Sequence, residues 1–257
     1  MSNNLVLEGK TLRFSHTPSR RAETAETRPG VLFCGGLRSD MQGTKAQYLQ
    51  QFCESRGLQY TRFDYQGHGV SSGEFTTCGI DDWRADTLDI IDEICHGPQI
   101  IVGSSMGLWM ALLATIARPG RINSILGIAG APDFTEQLIW QKIGTNLQAQ
   151  LQAGEIWNRP SNYDDGSPYP ISMQLIESGR PWLLLNDRSN KIPITCPVRL
   201  LHGTADNDVP WQLSQKLLEK LSSSDTSLTL VKDADHRLSS PQQLLLLEKT
   251  LIDLLVC

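Results

Sequence analysis

Short apolar, β-branched runs alternate with longer stretches of helical periodicity along almost the whole chain, and that rhythm leaves few folds open. Gly30-Val31-Leu32-Phe33-Cys34, Leu58 to Tyr65, Gln99-Ile100-Ile101-Val102, Ile122 to Ala129, Pro197 to Leu201 and Ser227 to Val231 read as strands. Asp40 to Arg56, Trp83 to Cys95, Met106 to Ala117, Pro210 to Leu221 and Pro241 to Val256 read as helices, the first two stopped by Gly57 and Gly97. Strands alternating with helices predict βαβ units, hence an α/β fold with a mostly parallel central sheet. The strands are apolar without alternation, so helices must cover both faces of that sheet. The rhythm breaks once. Residues 133–196 carry Trp140, Trp157, Trp182 and several prolines but no clear strand. Lying between two strands, this section is expected to be a cap inserted into a single domain spanning residues 1–257.

The chain's 257 residues suit one large α/β unit. Lys and Arg number 23 against 28 Asp and Glu, with no basic tract, which excludes nucleic acid or an anionic membrane as the main partner. Cys34, Cys53, Cys78, Cys95, Cys196 and Cys257 are scattered and form no CxxC pair, so reduced thiols are expected rather than a disulfide framework or a metal site. The N-terminus shows no basic segment followed by an apolar run, and no stretch is long and apolar enough to span a bilayer. The expected location is cytoplasmic, or the mitochondrial matrix for a processed chain. Nothing in the pattern sets an oligomeric state.

One motif carries chemistry. Gly103-Ser104-Ser105-Met106-Gly107 is a G-x-S-x-G sequence between an apolar strand and an apolar helix. A sharp strand-to-helix turn there would expose Ser105 above the sheet at a helix N-terminus, and the crowding of such a turn calls for small neighbours. A serine hydroxyl needs a base. Of His16, His68, His96, His202 and His236, only His202 and His236 end a strand, and only His236 also follows a plausible acid in the order Ser, Asp, His. For that acid, Asp206 lies nearer the strand end and Asp208 nearer the next helix, where an Asp commonly caps. Asp206 is favoured. Asp235, adjacent to His236, would point elsewhere on an extended backbone. The backbone N–H groups of Met106, and of Leu37 in the loop after Gly35-Gly36, are the expected oxyanion donors. Leu138, Ile139, Trp140, Ile143 and Leu147 stand at helical spacing in the inserted section. Trp140 and Ile143 are candidates to line an acyl pocket, against the plainer reading that they pack the cap. No basic cluster points to a phosphorylated substrate.

Gly35-Gly36-Leu37, Arg62-Phe63-Asp64-Tyr65-Gln66-Gly67-His68-Gly69-Val70-Ser71, Gly103 to Gly107, His202 to Pro210 and Asp235-His236-Arg237 together resemble the α/β-hydrolase superfamily. The second string, with Leu200-Leu201-His202-Gly203 and Val209-Pro210-Trp211, is similar to the branch that holds abhydrolase domain-containing protein ten, its palmitoyl-protein thioesterase and acyl-glucuronide esterase activities, and its bacterial relatives. The resemblance implies a hydrolase of acyl thioesters or esters, acting on small molecules or acylated proteins without a cofactor. A general carboxylesterase or carbon–carbon hydrolase of the same fold is the alternative, and a non-catalytic binding protein on that scaffold a more distant one.

Overall fold

The computed structural model describes residues 2–20, 28–161, 167–186 and 190–256. Its strands are β1 (Ser2–Leu7), β2 (Lys10–Thr17), β3 (Gly30–Cys34), β4 (Tyr60–Phe63), β5 (Gln99–Ser104), β6 (Ile122–Ile128), β7 (Trp157–Arg159), β8 (Tyr169–Ile171), β9 (Val198–Gly203) and β10 (Thr226–Val231). Its α-helices are α1 (Thr44–Arg56), α2 (Ile80–Asp89), α3 (Met106–Ala117), α4 (Thr145–Gln152), α5 (Met173–Gly179), α6 (Gln212–Lys220) and α7 (Pro241–Leu255). Eight strands form one sheet in the order β1-β2-β4-β3-β5-β6-β9-β10. From β4 to β10 all neighbours are parallel, while β1 and β2 add an antiparallel edge.

The two-residue period of a strand divides the central residues between two cores. Leu32 and Ile101 pack on one side with Ile90 of the turn after α2 and with Trp109 of α3. Val31, Phe33, Ile100 and Val102 pack on the other with Leu49 of α1 and Leu247 and Leu251 of α7. β3, β4 and β5 are buried along their whole length, which is why their sequences show no polar alternation. Helix α3 is apolar all round because Met106 through Thr115 are buried on every side. Gly57 ends α1 in the left-handed region, and Ser240 with Gln243 forms a capping box ahead of Pro241 at the start of α7.

The structure corrects several expectations. The strand rhythm begins earlier than Gly30: β1 and β2 form a hairpin turning at Gly9 (φ 79°), and His16 lies on β2. Helix α1 starts at Thr44, because Asp40 folds the preceding residues into a turn in which its Oδ1 accepts the Gln42 N–H (2.8 Å). Helix α2 starts at Ile80, where Asp82 accepts the Gly79 N–H (2.9 Å), and ends in a π-helical turn, Ile90–Ile94. Residues 133–196 do contain strands, the short β7–β8 hairpin; residues 162–166 and 187–189 of that section lie outside the described residues. Asp133 ties the start of the section to its later part, its carboxylate accepting the Leu184 (2.8 Å) and Leu185 (2.7 Å) N–H groups.

Candidate active site

Strand β5 hands over to α3 at Ser105, whose backbone takes φ 55° and ψ −119°. A non-glycine residue there costs roughly 1–3 kcal/mol and persists only where its surroundings enforce it. Here the Ser105 N–H donates to Ile128 O (2.9 Å), and its carbonyl accepts the N–H groups of Leu108 and Ala131 (both 3.1 Å). The flanking glycines are set by close approach. A Cβ on Gly107 would stand 2.0 Å from Cys34 O, and one on Gly103 would stand 2.6 Å from Gly107 O. These neighbours are backbone atoms of packed elements and cannot swing away. Gly107→Ala should therefore cost at least about 2 kcal/mol through forced separation of α3 from β3. Denaturant unfolding measures it, and an unchanged midpoint would contradict the crowding described.

Parallel pairing brings the carboxyl ends of β5, β6, β9 and β10 to one edge, where the loops after β9 and β10 meet Ser105. The Ser105 hydroxyl lies 3.0 Å from His236 Nε2, and His236 Nδ1 lies 2.7 Å from Asp206 Oδ2. The carboxylate can only accept, so Nδ1 carries the proton and Nε2 is left to accept from Ser105. Asp206 has more partners than the sequence disclosed. Its side chain is inaccessible to solvent; Oδ2 also faces His202 Nε2 (3.0 Å), and Oδ1 accepts the Asp208 (2.9 Å) and Val209 (2.8 Å) N–H groups. Burial pushes the Asp206 carboxyl up, but the hydrogen bonds from His202 and His236 outweigh it and hold the group far below the usual carboxylate range.

His202 thus ends a strand as read from the sequence, but it turns away from Ser105. Its Nε2 faces two acceptors, Asp206 and Val209 O (3.0 Å), so its Nδ1 accepts the Ser214 hydroxyl (2.7 Å). Asp208 meets Asp206 through its backbone, and Asp235 turns back to accept the Leu238 N–H (3.2 Å). Ligand atoms of Asp206, Asp208 and His236 lie within 4.8 Å of one another, a spacing a metal could use. All the lone-pair positions of Asp206, though, are already taken by protein N–H groups.

A cavity of about 530 Å³ opens at Ser105 and His236. Gly36, Leu37 and Met106 line it, and neither the Leu37 nor the Met106 N–H has a hydrogen-bond acceptor among the described residues. Ala131, Phe134 and Leu138 supply apolar wall, while Trp140 and Ile143 are not among the lining residues. For Trp140 the reason is local: Thr135–Trp140 is a π-helical turn, so its faces are rotated from those of an ordinary helix. Trp140 instead lies under the Arg180 guanidinium, 5.1 Å from ring centre to Cζ. Arg38, Lys45, Arg159 and Arg237 also line the cavity. No basic run announces them, since they come from four separate segments. Burial pushes the Cys34, Cys53 and Cys95 thiols up to about 12, so these cysteines stay protonated core residues.

A parallel sheet covered on both faces, with a serine on a strained turn after a central strand, defines an alpha/beta hydrolase. The chain belongs to that family, whose model matches residues 31–245. It is 39% identical over 88% of its length to the bovine mitochondrial palmitoyl-protein thioesterase ABHD10, covering 73% of that protein, and 37% identical to the human one over the same share of each chain. The solved structure of mouse alpha/beta hydrolase domain-containing protein 10 superposes with a TM-score of 0.88 at 35% identity over 99% of this chain and 98% of that one. The monoacylglycerol lipase of Paleococcus ferrophilus shares the fold at 21% identity, with a TM-score of 0.73 over 95% and 98% of the two chains.

Proposed function

We propose that the protein is a serine hydrolase that cleaves acyl thioesters or carboxylic esters through an acyl-enzyme, with palmitoyl-protein-thioesterase-like or acyl-esterase activity. The observation that carries this reading is the hydrogen-bonded chain Ser105–His236–Asp206 at the cavity. His236 Nε2 takes the Ser105 proton as Oγ attacks the substrate carbonyl. The Leu37 and Met106 N–H groups, without an acceptor among the described residues, receive the developing oxyanion. Asp206 holds His236 in the required tautomer and stabilises the imidazolium. The tetrahedral intermediate collapses with expulsion of the thiol or alcohol, which takes its proton from His236. A water deprotonated by His236 then attacks the acyl-enzyme, and the collapse returns the proton to Ser105. No cofactor enters these steps.

Residues 133–196 act as a cap in this reading, since Phe134, Leu138, Arg159 and Tyr169 of that section line the cavity. The thioesterase preference is supported by the ABHD10 relatives, and acylated proteins or small acyl compounds are the substrate class. The free, buried cysteines suit a reducing compartment, cytoplasmic or mitochondrial. No helix among the described residues is long and apolar enough to cross a membrane. Steady-state assays on S-palmitoyl peptide, palmitoyl-CoA and p-nitrophenyl esters of increasing chain length test the proposal. We expect long-chain thioester turnover that Ser105→Ala abolishes. Failure to turn over any thioester would leave an esterase, and failure on the whole panel would remove the hydrolase reading.

A further inference from the structure

The string Arg62 to Ser71 contributes nothing to the Ser105–His236–Asp206 chain, yet it is the longest motif in the sequence. Its side chains converge on the loop that carries Leu37. Arg62 donates from Nη1 to Met41 O, and Asp64 Oδ1 accepts the Met41 N–H (2.6 Å), so the far end of that loop is gripped by both its backbone groups. Asp64 Oδ2 accepts the Val70 N–H (3.2 Å), which folds the motif back on itself.

The middle of the loop is a turn closed by the Ser39 N–H donating to Gly36 O (3.1 Å). Gly36 O and the Leu37 N–H belong to one planar trans peptide and point opposite ways, so this bond fixes the direction of the Leu37 N–H. The turn is strained at its third residue: Arg38 has φ 56°, a conformation that turns normally give to Gly or Asn. One side-chain contact supports it. The Arg38 N–H donates to His68 Nε2 at 3.0 Å.

His68 is built for that contact. It is 3% exposed and sits edge-on among Tyr65, Phe75 and Trp83, with ring centres 5.5, 5.3 and 5.0 Å away. Its Nδ1 lies 3.1 Å from Gln66 O, an acceptor only. That bond requires the proton on Nδ1 and leaves Nε2 as the acceptor. Burial brings the ring's pKa down to about 4, which keeps it neutral at ordinary pH.

We infer that His68 is a positioning residue of the oxyanion hole: its unprotonated Nε2 holds the Arg38 N–H, locks the strained turn and so aims the Leu37 N–H at the oxyanion formed on attack by Ser105. The inference rests on the hydrolase reading above. His68 touches no reacting atom and works through Leu37.

Two variants and one spectrum test it. His68→Leu removes the acceptor, while His68→Gln keeps one on a side chain of similar reach. Loss of a single oxyanion donor costs on the order of 100–1000-fold in kcat. A misaimed donor should cost the Leu variant about 30-fold or more in kcat on a p-nitrophenyl ester, with KM within about 3-fold of wild type, and the Gln variant should recover most of the loss. Ring nitrogen-15 NMR of the wild-type protein should show a neutral His68 with its proton on Nδ1 at pH 7. A folded Leu variant with wild-type kcat, or an effect confined to KM, overturns the inference, as does a proton found on Nε2. Should the Leu variant fail to fold, the Gln variant's retained kcat and the tautomer decide the matter. Absence of Ser105-dependent turnover in the wild type removes the hydrolase reading itself and the positioning role with it, and the Ser105→Ala control tells that failure apart.

Discussion

Ser105→Ala should lower acyl-ester and thioester turnover by about 10,000-fold or more, the largest effect expected of any single substitution. The reasons are chemical and local. In the proposed mechanism His236 Nε2 takes the proton of the Ser105 hydroxyl, 3.0 Å away, and removal of that hydroxyl leaves the base with water to activate. Triad members act as a unit, so removing the nucleophile forfeits the contribution of His236 and Asp206 as well. What remains is the binding and oxyanion stabilisation supplied by the cavity. The fold should be unaffected: Ser105's strained backbone is held through its own N–H and carbonyl, and none of those three bonds involves the hydroxyl. Equal thermal unfolding of variant and wild type, with turnover lost, is the expected pair of results. Turnover within tenfold of wild type would place the nucleophile elsewhere.

Asp206→Asn should be nearly as costly to kcat, about 10,000-fold, because an amide presents an N–H where His236 Nδ1 must donate and so favours the wrong tautomer. It should also destabilise the protein, which the serine variant does not. Asp206 accepts from His202, His236 and two backbone N–H groups in a site closed to solvent, and an amide cannot satisfy all four. The pH dependence follows with a definite sign. The folded-state pKa of Asp206 is depressed, so its contribution to stability is present above the unfolded value of about 3.9 and is lost as pH falls below it toward the lower folded value. Asp206 therefore stays ionised through the working range. Denaturation at pH 7 and pH 3 measures this: the destabilisation by Asp206→Asn should shrink at the lower pH. An equal penalty at both would contradict the charge assignment.

The placement of Ser105, Asp206 and His236 was legible because each follows a strand, and neighbouring parallel strands deliver their carboxyl ends to one edge. Chain order then separated His236 from His202. What His202 does instead was not legible, since its bond to Asp206 depends on how the loop 204–209 curls. The role of Arg62 to Ser71 was hidden for a similar reason: its partners, Arg38 and Met41, lie some 20 to 30 residues away, and the contacts are to backbone atoms that carry no sequence signal. The β1–β2 hairpin could have been found from Gly9 between runs holding Leu5, Leu12 and Phe14 at alternating positions. The cavity wall could not, because helical spacing over 138–147 presumes a regular helix, whereas Thr135–Trp140 is a π-helical turn; Phe134 and Leu138 line the cavity and Trp140 and Ile143 do not.

The most direct test of the central claim is covalent labelling with a fluorophosphonate, followed by peptide mapping by mass spectrometry. One adduct per chain is expected, on Ser105, absent from the Ser105→Ala variant and greatly slowed in Asp206→Asn. An adduct on another residue, or undiminished labelling of the Ser105→Ala variant, would contradict it.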